Sequence, residues 1–188
     1  MTVVSLPLDR EASELWSARP SFEETYEEYF DFVWLSLRRL GVAPAQLDDA
    51  AQDVFVVVHR RLQEFEFRSE LKTWLFAIAL RTARSYRRKP QAAVTVEGLE
   101  QLAGAGPSPH DALAQVEALR AMDGILASMD EERRVLFIMV ELEQIAVPEA
   151  AAVLGLKLNT AYSRLRLARD DFNAQVKRLQ ARDQWRQT

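Results

Sequence analysis

Apolar residues in the first half of the chain recur every three to four positions, the spacing of one helical face, and not in alternation. The stretch DDAAQDVFVVVHRRL, Asp48 to Leu62, looks like an exception, because its centre has the run of valines typical of a buried strand. At ~100° per residue, however, Leu47, Ala51, Val54, Phe55, Val58, Leu62 and Phe65 gather within about 100° of one another. That is the core-facing stripe of an amphipathic helix. A strand would put Phe55 opposite Val54 and waste the pattern. The far side of this helix then carries Asp49, Asp53, Val56 and Arg60, with Val57 beside them. Two outward β-branched residues among charges suggest a partner, although scattered apolar surface is itself ordinary.

The same spacing predicts helices over about 21–40, 47–65 and 71–89 in the first half, and a weaker piece over 8–19. Gly41 stands at the end of the first and Pro90 stops the third. In the second half it predicts helices over about 111–127, 131–143, 147–154 and 159–180. Neither half shows strand alternation, so the expected fold is all-α. Between Pro90 and Pro109 lie three of the six glycines and three of the seven prolines, a flexible-linker composition. The expected layout is an acidic extension, 1–20; a first helical domain, 21–89; a linker, 90–109; and a second helical domain, 110–180.

The second domain holds the most specific pattern, IAVPEAAAVLGLKLNTAYSRLRLARDDF. A short helix with Pro148 in its first turn meets Gly155, and three residues later a second helix opens near Asn159. Helix, glycine-containing turn and helix at this spacing form a helix-turn-helix. The second helix is expected to bury Leu158, Ala161, Leu165, Ala168 and Phe172. Its other side presents Asn159, Tyr162, Ser163 and Arg166, flanked by Arg164 and Arg169, side chains suited to base edges and phosphates in a major groove. Val135, Leu136, Ile138, Met139 and Leu142 mark the preceding helix as its support. The plain alternative is a helical hairpin with a solvated basic face.

In residues 71–89, Leu71, Trp74, Leu75, Ile78, Thr82 and Tyr86 share one face. The opposite face is expected to show Phe76, Leu80, Arg84 and Arg87, with Arg81 and Arg88 alongside. Basic residues interleaved with an exposed aromatic suit nucleic acid. The preceding loop, FEFRSELK, could cradle an unstacked base, although Phe65 and Phe67 equally suit core plugs at a helix end.

Charge sharpens this picture. The net charge is −4, yet residues 72–89 carry Lys72, Arg81, Arg84, Arg87, Arg88 and Lys89 with no acid, and residues 150–169 carry Lys157, Arg164, Arg166 and Arg169 with none. Residues 1–31 carry eight acids and two arginines. Two basic elements in an acidic chain can each follow a phosphate backbone without making the whole chain adhesive. There is no cysteine, which excludes disulfides and thiolate metal sites and favours an intracellular setting. His59 and His110 have no ligand-like spacing, so neither a metal nor a His-based catalytic site is expected. No apolar run is long enough to span a membrane, and the N-terminal residues do not read as a secretory signal.

DDAAQDVF, LKTWLFAIA and AVLGLKLNTAYSRLRLAR together resemble, in order and spacing, the diagnostic segments of bacterial RNA polymerase sigma factors of the extracytoplasmic-function (ECF, group 4) type. The resemblance covers about 21–89 and 111–175. It implies two helical domains, sigma-2 and sigma-4, in a cytoplasmic initiation factor with no cofactor, no small-molecule substrate and no enzymatic activity of its own. Asp49, Gln52, Asp53, Val56, Val57 and Arg60 would dock on the β′ clamp helices of core polymerase, with the β flap as a further contact. Arg68, Ser69, Lys72, Phe76, Arg81, Arg84, Arg87 and Arg88 would melt and read the −10 element. Lys157, Asn159, Thr160, Tyr162, Ser163, Arg164, Arg166 and Arg169 would read the −35 element. An anti-sigma factor, often membrane-bound, is implied as a further partner. Tyr162 stands where many relatives have Lys, and Arg81 where Asn is frequent, so promoter sequence does not follow from the family. Two other classes remain open on residues alone: a self-sufficient helix-turn-helix regulator with an N-terminal dimerisation or sensing domain, and an interaction module whose basic faces are merely solvated.

Overall fold

The computed structural model describes residues 20–88 and 109–186, with side chains described over 20–88 and 117–182. The expected helix over 8–19 and the linker thus lie outside the described residues, save the first residue of α4 below.

Helix α1 runs Phe22–Arg39. Ser21 starts it with a capping box: Glu24 N–H donates to Ser21 Oγ at 3.1 Å, and Ser21 N–H donates to Glu24 Oε2 at 2.8 Å. Its end is a Schellman turn in which Val42 N–H reaches Leu37 O and Gly41 N–H reaches Arg38 O. That turn holds Gly41 at φ +87°, where a side chain would strain the backbone. A short 3₁₀ turn, Pro44–Gln46, leads into α2, Leu47–Arg61, and α3 spans Leu71–Arg88. The valine-rich stretch is therefore a helix. All seven residues of its expected stripe, from Leu47 to Phe65, are buried, and Leu47, Val54 and Phe55 meet Val33 and Leu37 of α1 and Leu75 of α3 in the core.

In the second half α4 spans Pro109–Ser128 and α5 spans Glu131–Phe137. Asp130 caps α5 by accepting from the Glu132 N–H at 3.0 Å. The expected helix over 131–143 is not uniform, because Ile138–Leu142 widen into a π turn. Helix α6, Val147–Leu154, ends at Gly155, whose φ of +65° makes the sharp turn into α7, Leu158–Arg186. Leu156 N–H closes that turn on Ala151 O at 2.9 Å. Ala161, Leu165 and Ala168 of α7 are buried with Leu136 and Ile138, and Phe172 stacks on Phe137 at 4.7 Å. Among the described residues there is no strand, and the fold is all-α.

Two placements differ from the spacing argument. Leu158 was expected inside and is 44% exposed, as the residue that opens α7 one position earlier than the spacing predicted. Phe76 was expected on the outer face of α3 and is fully buried, with Leu80 also buried. Helix α3 carries two apolar stripes. Leu75 and Tyr86 of the expected stripe are buried together with Thr73, Phe76, Ala79, Leu80 and Ala83, so the core-facing side is broader and rotated, leaving Trp74 and Ile78 only partly covered.

The halves pack together. Arg38 pairs with Asp123 at 2.6 Å, and Arg39 with Glu143 at 2.6 Å. Lys72 donates to Glu143 O at 2.7 Å, and Thr73 donates to Glu149 Oε2. Arg84 and Arg87 both reach Glu131 at 3.1 Å.

Candidate nucleic-acid and polymerase interfaces

The outer face of α2 is as expected from its pattern. Asp49, Gln52, Asp53, Val56 and Arg60 are exposed and Val57 is half-buried; Val56 is 41% exposed, one of the few large apolar side chains left open among the described residues. Two hydrogen bonds tie this acidic side to the rest of the domain. Trp34 Nε1 donates to Asp48 Oδ1 at 2.9 Å, and the Tyr86 hydroxyl donates to Asp53 Oδ2 at 2.7 Å. Burial first, then the Asp53 hydrogen bond and charge, push the Tyr86 phenol up to about 12.

Beside Val56 lies a groove of about 650 Å³ floored by Phe22, Tyr26 and Phe30 of α1 and by Phe55 and His59 of α2. Tyr26 packs edge-on to Phe55 at 4.7 Å, and Phe22 to His59 at 4.9 Å. These aromatics were not among the expected surface residues. The signal was present: positions 22, 26 and 30 share one helical face of α1.

The loop before α3 divides its two phenylalanines. Phe65 is a core plug against Trp74 at 5.3 Å. Phe67 is 42% exposed and sits at φ +55°, a left-handed conformation uncommon for a bulky residue. Arg68 beside it is exposed and pairs only locally, with Glu66 at 2.6 Å, and Ser69 is half-buried. On α3, Arg81 points out, and Arg88 donates back to Arg84 O. Lys72, Arg84 and Arg87, by contrast, are engaged by acids of the second half. The structure thus separates the expected −10 set into an exposed part (Arg68, Arg81, Arg88), a part held at the domain junction (Lys72, Arg84, Arg87), half-buried Ser69 and one core residue (Phe76).

Helix α7 collects the expected −35 residues on one surface. Asn159, Tyr162, Ser163, Arg166 and Arg169 are exposed, and Thr160 and Arg164 half-exposed, with Lys157 at the head of the helix. Tyr162 is 52% exposed, and Leu158 stands nearby. Arg164 pairs with Glu132 at 2.9 Å and Arg169 with Glu141 at 2.7 Å, while Arg166 has only a long contact to Asp170 at 3.5 Å. Exposed pairs of this kind are worth ~1 kcal/mol or less, so phosphates could displace the acids.

A helical domain with an exposed apolar-acidic face, joined to a helix-turn-helix with a polar and basic outer face, has the form of a DNA-directed factor. Models of two families match: Sigma-70 region 2 over residues 25–93 and Sigma-70, region 4 over residues 119–171. The RNA polymerase sigma factor CnrH of Cupriavidus metallidurans is 30% identical over 146 residues, covering 73% of this chain and 76% of that protein. The ECF RNA polymerase sigma-E factor of Escherichia coli K12 is 26% identical over 148 residues, covering 73% and 78%. Among solved structures, CnrH in complex with the cytosolic domain of CnrY superimposes with a TM-score of 0.64 at 24% identity, covering 88% of this chain and 94% of that one. The sigma factor RpoE in complex with the anti-sigma factor NepR from Bartonella quintana gives 0.65 at 20% identity, covering 83% and 96%. The chain belongs to the sigma-70 family, as a transcription initiation factor of the ECF type. A self-sufficient regulator is not favoured, because the N-terminal half matches a sigma region and not a separate sensing domain.

Proposed function

We propose that the chain binds core RNA polymerase through the outer face of α2 and then sets two DNA-reading elements on a promoter. Asp49, Gln52, Asp53, Val56, Val57 and Arg60 dock on the β′ clamp helices, with the aromatic groove beside Val56 extending that surface. The β flap holds the second domain. In that domain Asn159, Thr160, Tyr162, Ser163 and Arg166 read bases of the −35 element in the major groove, and Lys157, Arg164 and Arg169 hold phosphates. In the first, exposed Phe67 with Arg68 and Ser69 captures a base of the −10 element as it leaves the stack, while Lys72, Arg81, Arg84, Arg87 and Arg88 follow the strand. Unstacking costs a few kcal/mol per base, which stacking and arginine contacts offset. Phe76 supports this helix from inside.

The observation that carries this reading is the single polar and basic surface of α7, open at Tyr162 and Arg166, in one chain with the exposed Val56 face. Each site alone is weak; polymerase fixes their separation and supplies the effective concentration. Lys72, Arg84 and Arg87 face the second domain in the packed arrangement, so the junction opens before α3 engages DNA. An anti-sigma factor that keeps the junction closed holds the protein inactive. The proposed setting is the cytoplasm, with nucleoid association when active and tethering where the anti-sigma factor sits in a membrane. No helix among the described residues is long and apolar enough to cross one.

The test is single-round transcription with purified core polymerase on promoters from the source genome. A promoter-specific transcript that needs both −10 and −35 elements is expected. Intact core binding with no specific transcript on any such template would overturn the reading.

A further inference from the structure

A half-open cavity of about 450 Å³ lies at the junction between the two halves. Trp34, Val42, Pro44 and Leu47 supply an apolar wall from the first half. The second half contributes Arg134 and, from α4, Arg120, Asp123 and Ala127. Its charges do not balance. Asp123 is already engaged by Arg38, with Nε and Nη2 both bonded to one of its oxygens at 2.8 and 2.6 Å. Arg39 is answered by Glu143. Arg120 is exposed, and neither it nor buried Arg134 has a hydrogen-bonded side-chain contact or ion pair among the described residues.

Arg134 is the unusual member. It is 6% exposed, and its Nε is a buried donor without an acceptor. Leaving a donor on a charged group buried and unmet costs more than the ~1–3 kcal/mol typical of neutral ones. Burial first, and then the neighbouring Arg87 cation, lower its pKa from the usual guanidinium value. Glu131, the nearby acid on its own helix, already serves Arg84 and Arg87. The other compensation is the carboxyl end of α1, where Arg134 Nη1 lies 3.6 Å from the place a Gly41 Cβ would occupy. A helix end offers only about half a negative charge. Arg134 is thus a largely buried cation on which Glu131 and Asp130 act only through space, Glu131 being bonded to Arg84 and Arg87 and Asp130 to the first turn of α5.

We propose that the junction cavity is a binding site for a small organic anion, in which a carboxylate or phosphate meets Arg134 and Arg120 and an apolar body packs against Trp34, Val42 and Pro44. A planar, forked guanidinium is suited to such oxyanions. The volume lies within the ordinary range for small-molecule sites, about 300–1,000 Å³. Because the walls come from both halves, an occupant favours the packed arrangement. Its effect on transcription rests on the proposed function above; its binding does not.

The test is calorimetric titration of the full-length chain, without polymerase, using phenyl phosphate, benzoate, phenol and inorganic phosphate. Phenyl phosphate or benzoate is expected to bind at least tenfold more tightly than phenol and than inorganic phosphate. Arg134→Met should weaken that binding at least tenfold and leave the circular dichroism unchanged. Ala127→Trp, which fills the cavity from an exposed position, should abolish it and serves if Arg134→Met fails to fold. The idea is overturned if neither organic anion outbinds phenol. It is overturned equally if binding survives in Ala127→Trp or in a folded Arg134→Met, or if inorganic phosphate binds as tightly as the organic anions, which would mean an adventitious ion only.

Discussion

Tyr86 and Asp53 share one hydrogen bond, and it links the core of the first domain to its proposed polymerase-docking face. Asp53 therefore cannot be changed without touching stability. Asp53→Arg should weaken core binding and also lower the melting temperature, by the ~1 kcal/mol of a lost hydrogen bond. Val56→Glu is the cleaner probe, since Val56 is exposed: core binding should fall at least tenfold in a pull-down titration, with the melting temperature unchanged. A matching loss of stability in Val56→Glu would mean that this face packs inside the protein. The phenol adds a pH dependence. Its folded pKa is raised from 10.0 to about 12, so the folded state holds this proton more tightly than the unfolded chain. Its contribution is fully present below about pH 10 and is lost as pH rises through about 12. Tyr86→Phe should flatten that alkaline decline in melting temperature.

At the scale of elements, most of the architecture was legible because most helices bury a single stripe. Helix α2 is the clearest case: its valines look like a strand in composition, but their angular clustering with Leu47, Phe55 and Leu62 decides for a helix. Helix α3 was misjudged in rotation for the complementary reason. It is covered on more than one side, so two apolar stripes compete, and the small residues Ala79 and Ala83 beside Phe76 mark the side of closest packing. The π turn at Ile138–Leu142 leaves no clear periodic trace, since it changes the spacing within a run that is apolar at every position but Glu141. The helix-turn-helix was legible from Gly155, and its role can be measured. No atom lies within 4 Å of a Cβ placed there, so Gly155→Ala suffers only from its left-handed backbone, φ +65°. A loss of about 1 kcal/mol is expected in thermal unfolding. A much larger loss would mean packing that the open space does not show. On α7, Arg166→Glu should abolish −35-dependent initiation while leaving the fold intact, because Arg166 is exposed and its Asp170 contact is long. Unchanged promoter choice would remove it from the reading set.

For the whole molecule, the decisive features join residues far apart in sequence, and no local pattern announces them. Glu143 meets Arg39 and Lys72, and Glu131 meets Arg84 and Arg87, across separations that only the packed chain brings together. The two acids do similar work in different surroundings. Glu143 is 6% exposed and its Arg39 partner is also largely covered, whereas Glu131 and its partners are half-exposed. Removing one member of a buried pair strands the other charge and costs about 3–5 kcal/mol. Removing one member of an exposed pair costs ~1 kcal/mol or less. Glu143→Ala should therefore loosen the junction far more than Glu131→Ala. The difference can be read as a larger radius of gyration in small-angle scattering and as faster proteolysis between the halves. Salt should act in the opposite order. Raising ionic strength screens the Glu131 pairs and leaves the Glu143 pair nearly intact, so the wild type should stay compact in salt while Glu143→Ala opens further. If Glu131→Ala opens the molecule as much as Glu143→Ala, burial is not what sets the strength of this junction. The buried acid would then be no more than one contact among several that keep Lys72, Arg84 and Arg87 from a DNA strand.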